Sequence, residues 1–395
     1  MSTASSAAPS SPSLLLRLAS VAIQLVAQFL GVADKLALAR CSRRMLHECA
    51  QPLAWRDGLP LVVSAAAAAA AGCDPAVRLR RSALLRHCPV HFLWDAPTTV
   101  ATVTALPNLH TLEVWHSARL FVTEWPSLLS HPALRQLHSL RFPYPASAPL
   151  PDAVLQLAAH SLPQLRTLTL AGAESDAALA PLLALPSLTE LTFDCGPLQV
   201  DHSAALSVIA QCARLQILTL RSPLFGPGDL RSFLCALGRT AQLRHLALEY
   251  FCAAVEFEGQ PPPTDADWRA GLSALGGLQS LRLRRIFGLD ALLPLLSSAP
   301  VLRSLQLDLE ADYSRDAAAF GSCLPSAAAV RGLLEAVPLL QVQLHMAASA
   351  DEWAGAENDE DEGEADERAR QWSSLQAEFA SPQWQRVQIV TTDEQ

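Results

Sequence analysis

The sequence predicts an α/β fold built as a solenoid, in which short parallel strands alternate with helices and each unit stacks on the next. Two observations predict it: a strand-like pattern that recurs along the chain, and a helix-like pattern that precedes several of its copies. LPQLRTLTLAG at 162–172 recurs as LPNLHTLEVW at 106–115, LPSLTELTFDCG at 185–196 and CARLQILTLRS at 212–222.

The strand-like pattern is L-x-x-L-x-L. Its L-x-L step alternates with period two, as in a short strand that buries one face. Most intervals between copies lie within 20–29 residues, a range typical of stacked repeats. Eight copies fit strictly, Leu109/Leu112/Val114, Leu137/Leu140/Phe142, Leu165/Leu168/Leu170, Leu188/Leu191/Phe193, Leu215/Leu218/Leu220, Leu243/Leu246/Leu248, Leu278/Leu281/Leu283 and Leu302/Leu305/Leu307, and two fit loosely, Leu339/Val342/Leu344 and Trp384/Val387/Ile389.

Helices are predicted between the strands. Apolar residues at helical spacing, with Asp or Ser near the start as a capping residue, occur at 152–162, 203–213, 228–238 and 289–299. A single strand–helix unit leaves its apolar face open unless a neighbour covers it. We therefore expect a curved horseshoe with parallel strands inside and helices outside.

The repeats over about 90–395 resemble the leucine-rich-repeat family, of the intracellular kind. One departure is that Ala173, Gly196 and Pro223 stand where the family often has Asn or Cys, so backbone groups at these turns need other partners.

Longer intervals between copies mark insertions. They predict loops near 251–268 and 308–323 and a disordered acidic segment at 351–367. Insertions in a solenoid usually project from one face, which is often where a partner docks.

The N-terminal residues do not follow the repeat. We predict a disordered segment at 1–13, a helical module at 14–57 and a helical linker or cap at 58–89. The module resembles an F-box, the element that docks on the adaptor subunit of cullin-RING ubiquitin ligases. The resemblance implies adaptor contacts by Leu18, Val26, Phe29, Leu30, Leu36, Leu38, Cys41 and Trp55.

The F-box pattern is incomplete, because Ala19 replaces the usual Pro and Met45 the common Trp. A structural alternative is that 14–57 only caps the first apolar face of the array.

Charge and composition narrow the class of protein. The chain has 395 residues, is 50% hydrophobic and carries a net charge of −9, but ten of its 38 acidic residues lie between Asp351 and Glu367. The remainder is near neutral, which disfavours nucleic-acid binding because phosphate contacts need a basic surface. We find no membrane span and no secretory signal, and nine cysteines without a C-x-x-C pair predict reduced thiols in the cytoplasm or nucleus.

No common catalytic or nucleotide-binding motif occurs, so we expect a protein that is not an enzyme and takes no cofactor. The densest group of potential metal ligands is His87, Cys88 and His91, whose spacing fits no standard zinc site, and we predict no metal.

Function is therefore expected from surfaces. In L-x-x-L-x-L the residues flanking the strand leucines point to the concave side, Asp308 among them, and Trp and Arg most often anchor interfaces. We predict substrate contacts on this face by Trp115, Arg141, Arg221, Glu249, Arg282 and Arg284.

The leading hypothesis is a substrate-recognition subunit of an F-box ubiquitin ligase, with the solenoid binding a protein substrate. Alternatives are a leucine-rich-repeat scaffold or inhibitor without a ligase connection, and binding of a basic partner by the acidic tract.

Overall fold

The computed structural model divides into two compact units, within 1–116 with 123–141 and within 117–122 with 142–395. It describes residues 45, 61–70, 72, 90–94, 100–106, 108–114, 125–142, 152–171, 176–195, 203–221, 229–239, 242–249, 264–284, 289–309, 325–347, 373–374, 377–379, 381 and 384–392.

In its described residues the first unit contains four strands that pair in parallel and in chain order: β1 Leu61–Ser64, β2 Val90–Trp94, β3 Leu109–Val114 and β4 Ser139–Arg141. Its helices are α1 Ala65–Ala70, α2 Val100–Thr104, α3 Trp125–Leu129 and the 3-10 helix η1 Pro132–Gln136. The predicted helical linker at 58–89 thus contains β1 as well as α1, and strand pairing begins before residue 90.

Where the structure describes it, the second unit repeats the arrangement with eight parallel strands in chain order. They are β5 Thr167–Ala171, β6 Glu190–Asp194, β7 Ile217–Arg221, β8 His245–Glu249, β9 Ser280–Arg284, β10 Ser304–Asp308, β11 Gln341–Ala347 and β12 Val387–Thr392.

Helices connect these strands: α4 Asp152–Ser161, η2 Asp176–Ala184, α5 Ser203–Ile209, α6 Asp229–Arg239, α7 Asp265–Ala274, α8 Leu289–Leu292, η3 Leu293–Ser298 and α9 Ala327–Ala336. Two connections are wholly or partly 3-10 helices because Pro181 lies inside η2 and Pro294 lies in the first turn of η3, and proline lacks the N–H of an α-helical bond. The predicted α/β array of parallel strands and helices is confirmed.

The leucine pattern forms the core. All 24 side chains of the eight strict copies are buried, as period-two strands with one covered face require. The loose copy beginning at Leu339 is wrong by one residue. Leu339 is 74% exposed, whereas Leu340 is fully buried, and the Leu340 amide donates to Val337 O as the Leu278 amide does to Leu275 O.

The predicted insertion at 251–268 ends earlier than expected. Thr264 caps α7 in a reciprocal capping box, its hydroxyl accepting from the Asp267 amide while the Asp267 carboxylate accepts from the Thr264 amide. Asp265–Asp267 are therefore helical. The acidic tract at 351–367 and residues 310–324 lie outside the described residues.

Aromatic and cationic contacts stabilise the residues just before β12, the last described strand. Trp384 replaces the first leucine of its repeat, is buried, and packs edge-on against Phe379 at 4.6 Å between ring centroids, with the Arg331 guanidinium 5.3 Å from its ring. The Arg386 guanidinium donates to Leu334 O, Val337 O and Pro338 O at the C-terminus of α9. A cation is favourable there because the last helical carbonyls carry partial negative charge.

No helix in the described parts of the chain is both long enough and apolar enough to cross a membrane.

Close packing of α6 on α7 depends on glycine, and two glycines form a matched pair for a stability test. A Cβ at Gly238 would overlap the backbone carbonyl of Ala274, whereas a Cβ at Gly332 in α9 would meet nothing within 4 Å. We expect Gly238→Ala to lower the free energy of unfolding by about 1–3 kcal/mol, and Gly332→Ala to raise it by about 0.5–1 kcal/mol. Urea unfolding measures both; equal effects would contradict this packing.

His110 makes the stability of the first unit depend on pH. Burial, and then the neighbouring His138, whose ring centroid is 4.8 Å away, lower the pKa of His110 from its usual 6.5. The unfolded chain then binds more protons, so stability present above about pH 6.5 is lost as the pH falls toward the folded-state pKa. We expect His110→Gln to lose less stability than wild type between pH 7.5 and 5.5 in urea unfolding; an equal loss would count against this role.

Candidate functional site

The second unit has a polar face formed by the strand positions that alternate with the buried leucines. We name it the open face. Its side chains form rows across the strands because all the strands are parallel and in register.

One row lies at the carboxyl ends of the strands and alternates in charge. Register places Asp194 opposite Arg221, Arg221 opposite Glu249, Glu249 opposite Arg284 and Arg284 opposite Asp308. Opposite charges on neighbouring strands attract, so this alternation stabilises the sheet.

Glu249 is the centre of the row. Its residue is only 3% exposed, Arg221 Nε donates to its Oε2 at 2.9 Å, and Arg284 Nη1 lies 3.9 Å from the same oxygen. Burying a carboxylate this deeply is costly unless positive charge and hydrogen bonds replace the lost water. The two arginines provide both.

Asp308 forms a second centre. It is 5% exposed, its Oδ2 accepts from Arg282 Nε at 2.6 Å and from Arg282 Nη2, and its Oδ1 accepts from Gln306 Nε2 at 2.8 Å. Both carboxylate oxygens are thus occupied by hydrogen bonds of this chain.

The arginine side chains are therefore more exposed to solvent than the carboxylates. The Arg221, Arg282 and Arg284 side chains are 32%, 42% and 26% exposed, against 4% and 5% for the side chains of Glu249 and Asp308. We name Arg221, Arg282 and Arg284 the arginine face. Because its ion pairs fix the guanidinium groups, a partner that binds them meets side chains already ordered.

The first unit has a related cluster around Glu113. His91 Nε2 lies 2.9 Å from Glu113 Oε2, and Arg141 Nη1 lies 3.8 Å from the same oxygen. His91 thus contacts a carboxylate, while His87 and Cys88 lie outside the described residues. Arg141 is placed next to Glu113, and Trp115 also lies outside the described residues.

The sequence named four residues that the structure brings together: Arg221, Glu249, Arg282 and Arg284. It placed Asp308 on the same face but did not include it in the site. The signal was present, since Asp308 follows Leu307 just as Glu249 follows Leu248. All eight predicted adaptor contacts, Leu18 to Trp55, lie outside the described residues.

Nucleophilic and metal chemistry receive little support from the described residues. Burial raises the pKa of Cys212 to about 11, and burial together with Asp194 raises the pKa of Cys195 further, so both remain unreactive thiols at neutral pH. Within the described ranges no group of three or more His, Cys, Asp or Glu side chains is placed to hold a metal ion.

No protein-family model matches the chain, and no curated protein does. Among solved structures, it is similar to the crystal structure of a TLR13–ssRNA13 complex at 15% identity, with a TM-score of 0.33 over 67% of this chain. The match spans only 38% of that chain. The fold assignment accordingly depends on the chain's own geometry. The strands are parallel and follow chain order, and the strands from β3 to β10 each carry one strict L-x-x-L-x-L copy. Such strands form a leucine-rich-repeat-type array.

Arg221 and Arg284 both lie against Glu249, and we expect either one to compensate for loss of the other. Arg221→Ala or Arg284→Ala alone leaves one cation on the carboxylate, whereas the double variant leaves a buried charge without a partner and should cost roughly 3 kcal/mol of unfolding free energy. Adding Glu249→Leu should recover most of that loss.

Urea unfolding of both single variants, the double and the triple variant measures this coupling. If the double variant loses no more free energy of unfolding than the two single variants together, and the triple variant recovers none of it, Glu249 does not depend on these arginines.

Proposed function

We propose that the protein is a non-catalytic binding subunit that captures a protein partner on the open face of its leucine-rich-repeat-type array and, through residues 14–57, joins an adaptor of a cullin-RING ubiquitin ligase. The observation that supports the first part of this proposal, capture of a protein partner, is the arginine face with its buried carboxylates. Interfaces are rich in arginine, and ordered side chains lose less entropy on binding.

The fold supports protein binding as the general role. A stacked repeat array exposes the alternate side chains of every strand in register and so offers a long surface to a macromolecule. A pocket for a small molecule would instead need apolar walls that enclose it.

The ligase half is supported by the F-box resemblance alone. Leu18, Phe29, Leu30, Leu36 and Trp55 match the family pattern, and a helical box before a leucine-rich-repeat array is a known architecture. We place this activity in the cytoplasm or nucleus, where the cysteines of the chain stay reduced.

In this proposal no residue of the chain does chemistry. Holding a substrate beside a ubiquitin carrier raises its effective concentration, and an otherwise bimolecular transfer becomes effectively intramolecular. The requirement is two independent contacts on one chain, one for the adaptor and one for the substrate.

Two variants of the full-length chain test the two contacts separately. The box variant, Phe29→Asp/Leu30→Asp, should lose adaptor and cullin in a pull-down and retain the partner proteins. The face variant, Arg221→Gln/Arg282→Gln, should retain adaptor and cullin and lose the partner by about tenfold or more. Arg244→Gln/Arg303→Gln removes the same charge from exposed arginines just before β8 and β10, and is the matched control.

If wild type retains no adaptor, the ligase proposal is wrong and 14–57 is a cap. If the face variant and the matched control lose partners equally, the open face is not the binding surface.

A further inference from the structure

The outer edge of β12 carries an inference that goes beyond the proposed function and does not rest on it. We propose that β12 pairs, edge to edge and antiparallel, with β12 of a second copy of this chain, so that two copies form a symmetric dimer.

The backbone groups on one side of β12 have no partner strand in the described part of the chain. There β12 pairs with β11 alone, in parallel, and the Val342 amide donates to Arg386 O. In a parallel pair every second residue turns both its N–H and its C=O toward the neighbouring strand, so this bond assigns the even-numbered residues of β12 to β11. The N–H and C=O groups of Val387, Ile389 and Thr391 therefore point outward.

The edge carries none of the features that usually prevent strand pairing. Natural edge strands are protected by Lys or other charged residues, by Pro or by bulges. The sequence of β12, VQIVTT, has no charged residue, no Pro and no Gly, and its register with β11 is regular. All of its residues except Gln388 are β-branched, which favours strands. β12 can therefore accept a further strand.

The apolar side chains of β12 are less covered than those of the strand before it. Val387 and Ile389 occupy the core positions of their repeat but are only half-buried. Val342 and Leu344, at the same positions of β11, are 1% and 0% exposed. Units of a stacked array are covered by their neighbours, and the described residues include no strand beyond β12. A strand paired there would remove more apolar surface from water.

The symmetry of the edge favours a second copy as its occupant. The three outward residues are centred on Ile389, so antiparallel pairing about a twofold axis at Ile389 matches all of them. Ile389 then bonds to its own copy, and Val387 bonds to Thr391 of the second copy. Core-side residues lie opposite core-side residues, as one continuous sheet requires.

Charge at the two ends of β12 favours the same arrangement. Arg386, whose guanidinium lies at the C-terminus of α9, precedes the strand, and Asp393 and Glu394 follow it in the sequence. Antiparallel pairing brings the basic end of one copy beside the acidic end of the other, whereas parallel pairing would bring like charges together. Because the paired segment is short, we expect a weak dimer, with a Kd of about 1–100 µM.

Sedimentation equilibrium of the full-length protein from about 1 to 200 µM tests for the dimer. Thr391→Pro removes an outward N–H but no bond to β11, and should weaken the dimer about tenfold or more because each dimer loses two hydrogen bonds. Thr391→Ala keeps the N–H and is the matched control, expected within about twofold of wild type.

A second pair of variants gives an answer even if Thr391→Pro disturbs the end of β12. Gln388 and Gln343 lie opposite each other on β12 and β11 and share one hydrogen bond, which either substitution removes. Gln388→Lys adds a charge at the proposed contact and should weaken the dimer about fivefold or more. Gln343→Lys places the same charge one strand farther away and should change the Kd by less than about twofold.

Amide hydrogen exchange, measured residue by residue, distinguishes strand pairing from a contact through side chains. The amides of Gln388 and Val390 face β11 and should be protected at every protein concentration. The amides of Val387, Ile389 and Thr391 should gain protection only as the concentration rises through the Kd.

A wild-type protein that stays monomeric over this concentration range would overturn the inference. So would a dimer that is unaffected by both Thr391→Pro and Gln388→Lys, or one in which the outward amides gain no protection, because the contact would then lie elsewhere. Growth to species larger than a dimer would overturn it too, since a symmetric edge is used up by one partner.

Discussion

The structure depends on one constraint: the apolar side of each strand–helix unit is too large to be buried within the unit and is covered only by its neighbours. Leucines at fixed steps therefore recur from Leu109 to Leu307, all of them buried. The same constraint explains the close approach of α6 and α7, where Gly238 and Gly271 leave room for the facing helix. Next to the last described strand, buried Trp384 takes the place of the repeated leucine.

Burial of the leucines sets the chemistry of the open face as a consequence. Once one side of every strand is committed to the core, the alternate positions must line up in rows across the sheet. In the second unit the row at the carboxyl ends alternates acid and arginine over β6 to β10. Glu249 and Asp308 are tolerated at such low exposure because arginines lie against them, and the arginines gain fixed positions from the same contact.

Much of the fold was predictable because the leucine pattern is local and repeats. Strands, several helix positions and the parallel order follow from period-two and helical spacing with stacked units. The local pattern failed where two adjacent leucines competed: Leu339 fits the template, yet Leu340 is the buried one. It also missed β1, since one short strand of LVVS before an alanine tract has no repeat signature of its own.

The sequence by itself determined that the chain carries a stacked repeat array, which residues face away from its core, and that arginines and acidic residues are among them. Only the tertiary structure decided which charges meet. Arg221 and Glu249 are 28 residues apart, and Arg282 and Asp308 are 26 apart, so their pairing depends on strand register and not on any local pattern. The burial of Glu249 beneath two arginines is likewise a property of three strands together, because no single strand holds both the acid and the cations that pair with it.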